Sequence, residues 1–321
     1  MTAPRITAWR LLLRMPSAVL SLAAVLFYLL LAAGTEGYSI YCEQRGIIPV
    51  YQRTDDTARY APPSREHWMG TDYQGRDVLL RAAAGSATAV KVGVIASFIA
   101  VFIGVTLGAI AGFYGGKSRC WRSKEIWKFD DWVVWAYSTF ASMPTLLFIL
   151  AFALLVSRNF LSDSMMDFAG VLGTILRAEP GMLAVYLAIG MTGWVTLCRV
   201  VRGETMRLRA LPYVAAAKVA GVSSPVIILR HILPNVFHLV IIYFTLSFAG
   251  AVMLEVIVSY LGFGVQSAPS WGVMISDGQD RLWRGIWWEI AAATGFMFVL
   301  VLALNVLGDA LRDALDPRHR Q

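Results

Sequence analysis

The sequence predicts an all-α membrane protein with six transmembrane helices, and three observations lead to it. The chain of 321 residues is 57% hydrophobic and only 15% charged, with a mean hydropathy of +0.60, whereas soluble domains carry about 25% charged residues. Its apolar residues gather into six runs long enough to cross a bilayer. Its basic residues flank those runs and do not cluster with aromatics on a polar face, so the formal charge of +7 points to membrane topology and not to nucleic acid. Cys42, Cys120 and Cys198 form no CxxC pair, and His67, His231, His238 and His319 form no HExxH. Neither a disulfide framework nor a metal site is expected.

Taken in order, Arg5, Arg10 and Arg14 precede an apolar run from about Ser17 to Ala33. Ala32-Ala33-Gly34 would pass as a signal-peptide cleavage site, but the run is long for a signal core and further spans come after it, so a retained helix is expected. Residues 34–85 are polar, with Pro49, Pro62 and Pro63, and read as a loop ending in a turn-rich segment, His67 to Asp77. The second span, about Ala87 to Gly112, carries Ala96, Ala100, Gly104, Gly108, Gly112 and Gly116 at every fourth position. Such a stripe lets another helix approach closely. Gly112 to Ser118 is a near-miss for a phosphate loop, because Ala111 stands where the first glycine belongs and no strand precedes it. The chain is therefore not expected to hydrolyse ATP itself.

A basic loop with Lys117, Arg119, Arg122, Lys124 and Lys128 leads into a third span, about Trp132 to Val156, interrupted by Pro144. The proline predicts a kink, with its freed carbonyl facing either a packing contact or a cavity. Residues 157–180 read as a polar loop. A fourth span, about Met182 to Cys198, exits into Arg199, Arg202, Arg207 and Arg209. The stretch from Tyr213 to Gly221 is a short Ala-rich helix stopped by a glycine, and Ser223-Ser224-Pro225 restarts the chain with serine at the cap and proline at the first helical position. Pro234 should kink the helix at whose start it stands. The pattern fits an ordinary loop helix and a docking helix equally well. The fifth span, about Asn235 to Tyr260, contains Glu255, which should face the bundle interior with a partner, in a structural role or at a substrate path. A turn-rich loop over Gly262 to Asp280, an aromatic belt of Trp283, Trp287 and Trp288, and a sixth span, about Glu289 to Leu307, complete the chain.

With six spans, both termini and the loops after spans two and four share one side. That side carries about 17 lysines and arginines against about 10 on the other, and acidic residues run the opposite way. The positive-inside rule puts both termini in the cytoplasm. The organisation expected is a cytoplasmic tail over 1–16, a transmembrane helix over 17–33, an extracytoplasmic loop over 34–85, a five-helix core over 86–308 with a cytoplasmic loop at 211–234, and a cytoplasmic tail over 309–321.

Five stretches then carry a resemblance. Tyr213 to Asn235 resembles the EAA loop of permease subunits of bacterial ABC importers. His67-Trp-Met-Gly-Thr-Asp-Tyr-Gln-Gly-Arg-Asp77 is similar to the H-x-x-G-T-D-x-x-G-R-D segment of the second permease of dipeptide and oligopeptide importers. Phe113 to Gly116, Ser259 to Gly264 with Pro269 to Gly272, and Gly308 to Pro317 resemble the family's other signatures, in the same order. The resemblance implies a type I ABC importer permease fold with a cytoplasmic coupling helix that fits a groove on a separate ATPase. It also implies a homologous second permease, two ATP-binding subunits that hold the ATP, an extracytoplasmic solute-binding protein, and a peptide substrate. It implies no catalytic residue and no cofactor in this chain, which sits among membrane lipid.

Residue by residue, Ala216, Ala217 and Gly221 match the EAA loop, Pro234-Asn235 match its end, and Tyr213 and Lys218 lie within it. Ala215 departs from the family's usual glutamate, so docking would lean on packing or on Lys218. On the other side the matching residues are His67, Gly70, Thr71, Asp72, Gly75, Arg76 and Asp77. Nickel or another small solute remains an alternative cargo. A secondary transporter is the alternative class, expected to show discontinuous helices or several buried charges, for which only Glu255 and Lys91 qualify.

Overall fold

A computed structural model describes residues 12–115, 129–157, 180–264 and 268–315. The expected basic loop around Lys117 to Lys128, most of the polar loop after Val156, the first eleven residues and the signature's final Asp316-Pro317 lie outside the described residues. The described chain is helical: α1 Pro16–Arg45, α2 Val78–Tyr114, α3 Phe129–Ser142, α4 Thr145–Ser157, α5 Pro180–Leu208, α6 Pro212–Val219, α7 Ser224–Ile227, α8 Leu233–Tyr260, α9 Trp271–Leu282 and α10 Trp288–Leu315. Five helical segments are long and apolar enough to cross a membrane, and the α3–α4 pair makes a sixth if taken as one broken span.

Several elements outrun their apolar runs. α1 continues past residue 33 to Arg45, because its far end is held by the bundle: Glu36 pairs with Lys91 of α2 at 2.7 Å and Cys42 is buried. The loop expected from 34 therefore begins at Gly46. α2 starts nine residues before Ala87, where the Asp77 carboxylate accepts the Leu80 amide at 2.9 Å and caps the helix. α5 continues from Cys198 to Leu208, and α10 runs beyond residue 308 to Leu315. The expected loop over Gly262 to Asp280 contains a helix, α9, capped by the Ser270 hydroxyl on the Gly272 amide at 3.1 Å.

Two prolines act differently from expectation. The third span does not kink; it breaks, with α3 and α4 at 95° across Met143 and Pro144. At Pro234 the reverse holds. Ile228–Ile232 forms a π turn in which the Leu233 amide reaches back to the Ile228 carbonyl, and this wider turn accommodates the missing proline amide so that Ser224–Tyr260 counts as one continuous span. Pro225 sits at the second helical position after the Ser223 cap, and the Ser223 side chain makes no capping bond.

α2 is the hub of the bundle, packed against α1, α5, α8 and α10. Its small-residue stripe meets α5: a Cβ on Gly104, Gly108 or Gly112 would stand 3.0, 2.7 and 2.6 Å from the carbonyl oxygens of Trp194, Cys198 and Arg202. From Gly104 to Gly112 the expected packing face is present, and the pairing order makes the two helices parallel; Gly116 lies outside the described residues. One core joins α1, α2, α8, α9 and α10 around Trp271 and Leu304; a second joins α2, α4, α5 and α8 around Tyr186.

Candidate functional site

The sequence-predicted residues gather at the two ends of α2, which at 37 residues spans about 55 Å. At its N-terminal end the segment from His67 to Asp77 folds into a tight knot. Asp72 is fully buried and accepts hydrogen bonds from the Gln74 and Arg76 amides at 2.8 and 2.9 Å, from Arg76 Nε at 2.7 Å, and from Arg81 Nη1. His67 Nδ1 lies 2.9 Å from the second oxygen of Asp77, the helix cap. The Thr71 hydroxyl donates to the Ala58 carbonyl and accepts from the Ala61 amide at 2.8 Å. Gly70 and Gly75 both have positive φ, at +64° and +74°, and a Cβ on Gly70 would meet the Ala61 carbonyl at 2.6 Å. Nearby, hydrogen bonds from the Thr57 hydroxyl and amide lower the pKa of the exposed Asp55 carboxyl.

This knot is clamped to the far end of the chain. The Trp288 indole donates to the Thr71 carbonyl at 3.0 Å, so Trp288 is a buried anchor and not part of an interfacial belt; Trp283 and Trp287 remain exposed. Arg281 pairs with Glu289 at 2.9 Å, Arg81 approaches the other Glu289 oxygen at 3.7 Å, and the Arg281 guanidinium covers the Tyr73 ring at 4.4 Å. Arg81, Arg281 and Glu289 were not singled out from the sequence, since single charges at helix ends carry no motif. Glu255 has the partners it was expected to need: its Oε1 accepts from Ser259 at 2.7 Å and from Ser270, the α9 cap, at 2.8 Å. It lies near the end of α8 and ties the Pro269-Ser270-Trp271-Gly272 turn to that helix.

At the other end of α2, α6 lies across the bundle base. Val214 is 0% exposed, packed in a cluster with Phe113, Val201, Leu208, Ile227 and Ile232. Around this one anchor, Tyr213, Ala215, Ala216, Val219 and Ala220 are exposed, Val219 at 90%. Ala217 is half-buried beside the cluster. The helix ends as expected at Gly221, φ +79°, with the Gly221 amide on the Lys218 carbonyl and the Val222 amide on the Ala217 carbonyl, both at 3.1 Å. That is the full Schellman closure. Lys218 sets its ammonium 4.9 Å over the Phe113 ring, and Arg209 donates to the carbonyls of Phe113 and Gly115 at the end of α2. Pro234 is exposed, and Asn235 beside it donates to the His231 carbonyl at 2.7 Å. Above them Arg202 grips Asp130 of α3 through two bonds of 2.6 and 2.8 Å. This end presents a small, sterically smooth, largely apolar helix face. No acid–base or nucleophile pair accompanies it among the described residues.

Comparison with known proteins gives the family of the chain. Residues 104–321 match the family described as "Binding-protein-dependent transport system inner membrane component". The chain is 31% identical over 315 residues to the dipeptide transport system permease protein DppC of Bacillus subtilis, covering 98% of this chain and 86% of that one. It is 34% identical over 273 residues to the oligopeptide transport system permease protein OppC of Escherichia coli, covering 84% and 79%. It is 33% identical over 312 residues to OppC of Mycobacterium bovis, covering 97% and 94%. The chain belongs to the binding-protein-dependent transport system inner membrane components, and it is a multi-pass ABC permease subunit of the type I importer fold.

Proposed function

We propose that this chain forms part of the translocation path for peptides, paired with a homologous second permease, and that α6 couples it to two separate ATP-binding subunits. The observation that carries the reading is α6 itself: an exposed small-residue helix held to the bundle by one buried valine and closed by a left-handed glycine. The peptide cargo is supported by the names of the relatives, dipeptide and oligopeptide permeases. Both termini and α6 lie in the cytoplasm, as the basic residues favour, and an extracytoplasmic binding protein delivers the solute to the opposite end. ATP and its hydrolysis belong to the partner subunits.

ATP binding would close the ATPase pair, carry α6 with it, and bias the bundle between inward- and outward-facing states. The force enters the bundle through Val214 and Lys218 on Phe113, which is the end of α2, and passes to α5 through the glycine stripe. Because Ala215 lacks a carboxylate and Lys218 is turned onto Phe113, the docking contact is mainly steric. Val219→Asp is expected to abolish uptake of labelled di- and tripeptides in cells while the chain remains at normal abundance in the membrane. Full uptake in that variant would remove α6 from the coupling role.

A further inference from the structure

The break between α3 and α4 lies beside Thr192, Val195 and Thr196, in the last turns of the fourth apolar run, which ends at about Cys198. Residues Ala141 to Leu147 around it are exposed. Across the 95° turn the Thr139 and Phe140 carbonyls accept from the Ser142 hydroxyl and the Met143 amide, whereas Pro144 supplies no amide and the first amides of α4 have no preceding turn to bond. Hydrocarbon cannot satisfy such groups. Non-helical backbone at membrane depth occurs where protein covers it or where it lines a water-filled cavity.

A cavity of about 220 Å³ fills the angle of the break. Phe140 and Phe148 form an apolar wall, and Thr145, Thr192, Thr196 and Arg199 form a polar one. The Thr192 hydroxyl already donates to the Ile189 carbonyl at 2.9 Å, which leaves its lone pairs to accept from an amide. Arg199 rests on the Tyr137 ring at 5.0 Å, and among the described residues no carboxylate lies within ion-pair distance of it. The contrast is Arg202, three residues on, which Asp130 holds through both oxygens. A cation on a bundle wall with no counter-ion among the described residues suits a transient anionic partner.

We propose that this cavity is a contact point on the translocation path. There Arg199 meets the carboxylate of the passing solute, and the threonine hydroxyls and freed backbone groups meet its amides. The solute's identity rests on the peptide-importer reading; the position of the path does not.

The test uses the assembled transporter with Cys42, Cys120 and Cys198 replaced. Thr196→Cys is compared with Phe98→Cys, on the exposed apolar surface of α2, for reaction with two membrane-excluded methanethiosulfonates, one anionic and one cationic. Each rate is taken relative to that with a free thiol in solution. Thr196→Cys is expected to react with both reagents, favouring the anion roughly tenfold, and the preference is expected to vanish when Arg199→Gln is added. Labelling of Ala141→Cys, an exposed lining position to which no solute contact is assigned, is expected to stop the uptake that this variant shows before labelling. A Thr196→Cys thiol no more reactive than that of Phe98→Cys would mean that lipid or the second permease covers the site, and overturns the proposal. A charge preference independent of Arg199, or uptake unaffected by the label, overturns it as well. The labelling needs no peptide, so it remains readable if the cargo proves to be another solute.

Discussion

Asp72 shows how one residue can organise a loop. Its carboxylate is the acceptor for two amides and two guanidinium groups, with no solvent to share the load. Removing one partner of a buried pair leaves uncompensated charge, which costs about 3–5 kcal/mol. Asp72→Ala is therefore expected to leave little folded chain, read as a collapse of membrane abundance and of the thermal transition in detergent. Glu255 makes a finer test because its contacts are hydrogen bonds. Glu255→Gln keeps an acceptor oxygen for Ser259 and Ser270 and should retain most uptake, whereas Glu255→Leu strands both hydroxyls at about 1–3 kcal/mol. If Glu255 instead worked on the substrate, the glutamine variant would lose transport at unchanged stability.

Between helices, the stripe on α2 sets how closely α5 can approach. Gly108 has the Cys198 carbonyl 2.7 Å from where its Cβ would stand, while Gly203 of α5 has nothing within 4 Å. Gly108→Val is expected to force the helices apart and lower the detergent unfolding midpoint by several degrees, whereas Gly203→Ala should be near neutral or slightly stabilising. Equal midpoints for the two would mean that the stripe does not set the spacing. The stripe, the α6 helix with its glycine stop and the polar partner of Glu255 were all legible, because each depends on local spacing or on a single energetic demand. The break at Pro144 and the intact span at Pro234 were not. A proline has the same local chemistry in both places, and what differs is whether a neighbouring π turn can absorb its missing amide. The broken span is also the discontinuous helix that the sequence reading associated with secondary transporters; here it occurs in an ABC permease.

Across the whole molecule, α2 links the two candidate sites: its N-terminal cap lies in the knot of Asp72 and its C-terminal turn carries the α6 cluster. The orientation that charge counting favours gives a direct check. In a chain without native cysteines, Ala216→Cys is expected to react with a membrane-impermeant maleimide only after the cytoplasmic face is opened. Trp283→Cys, at a site 93% exposed, should react from outside in intact cells. The reverse pattern would invert the topology and with it the assignment of α6 to the ATPase side.

The sequence by itself determined the class, the six apolar runs, the small-residue face of α2 and the ordered motifs, because hydropathy, spacing and charge balance act locally along a chain. The tertiary structure alone decided what the charges outside the motifs do. It linked Asp72 through Arg81 to Glu289 and its partner Arg281 from the far end of the chain, buried Trp288 against Thr71, and opened a polar angle beside Arg199. Whether a charged side chain is a clamp, a lone cation or a topology signal depends on which distant group shares its low-dielectric surroundings, and no local pattern encodes that neighbour.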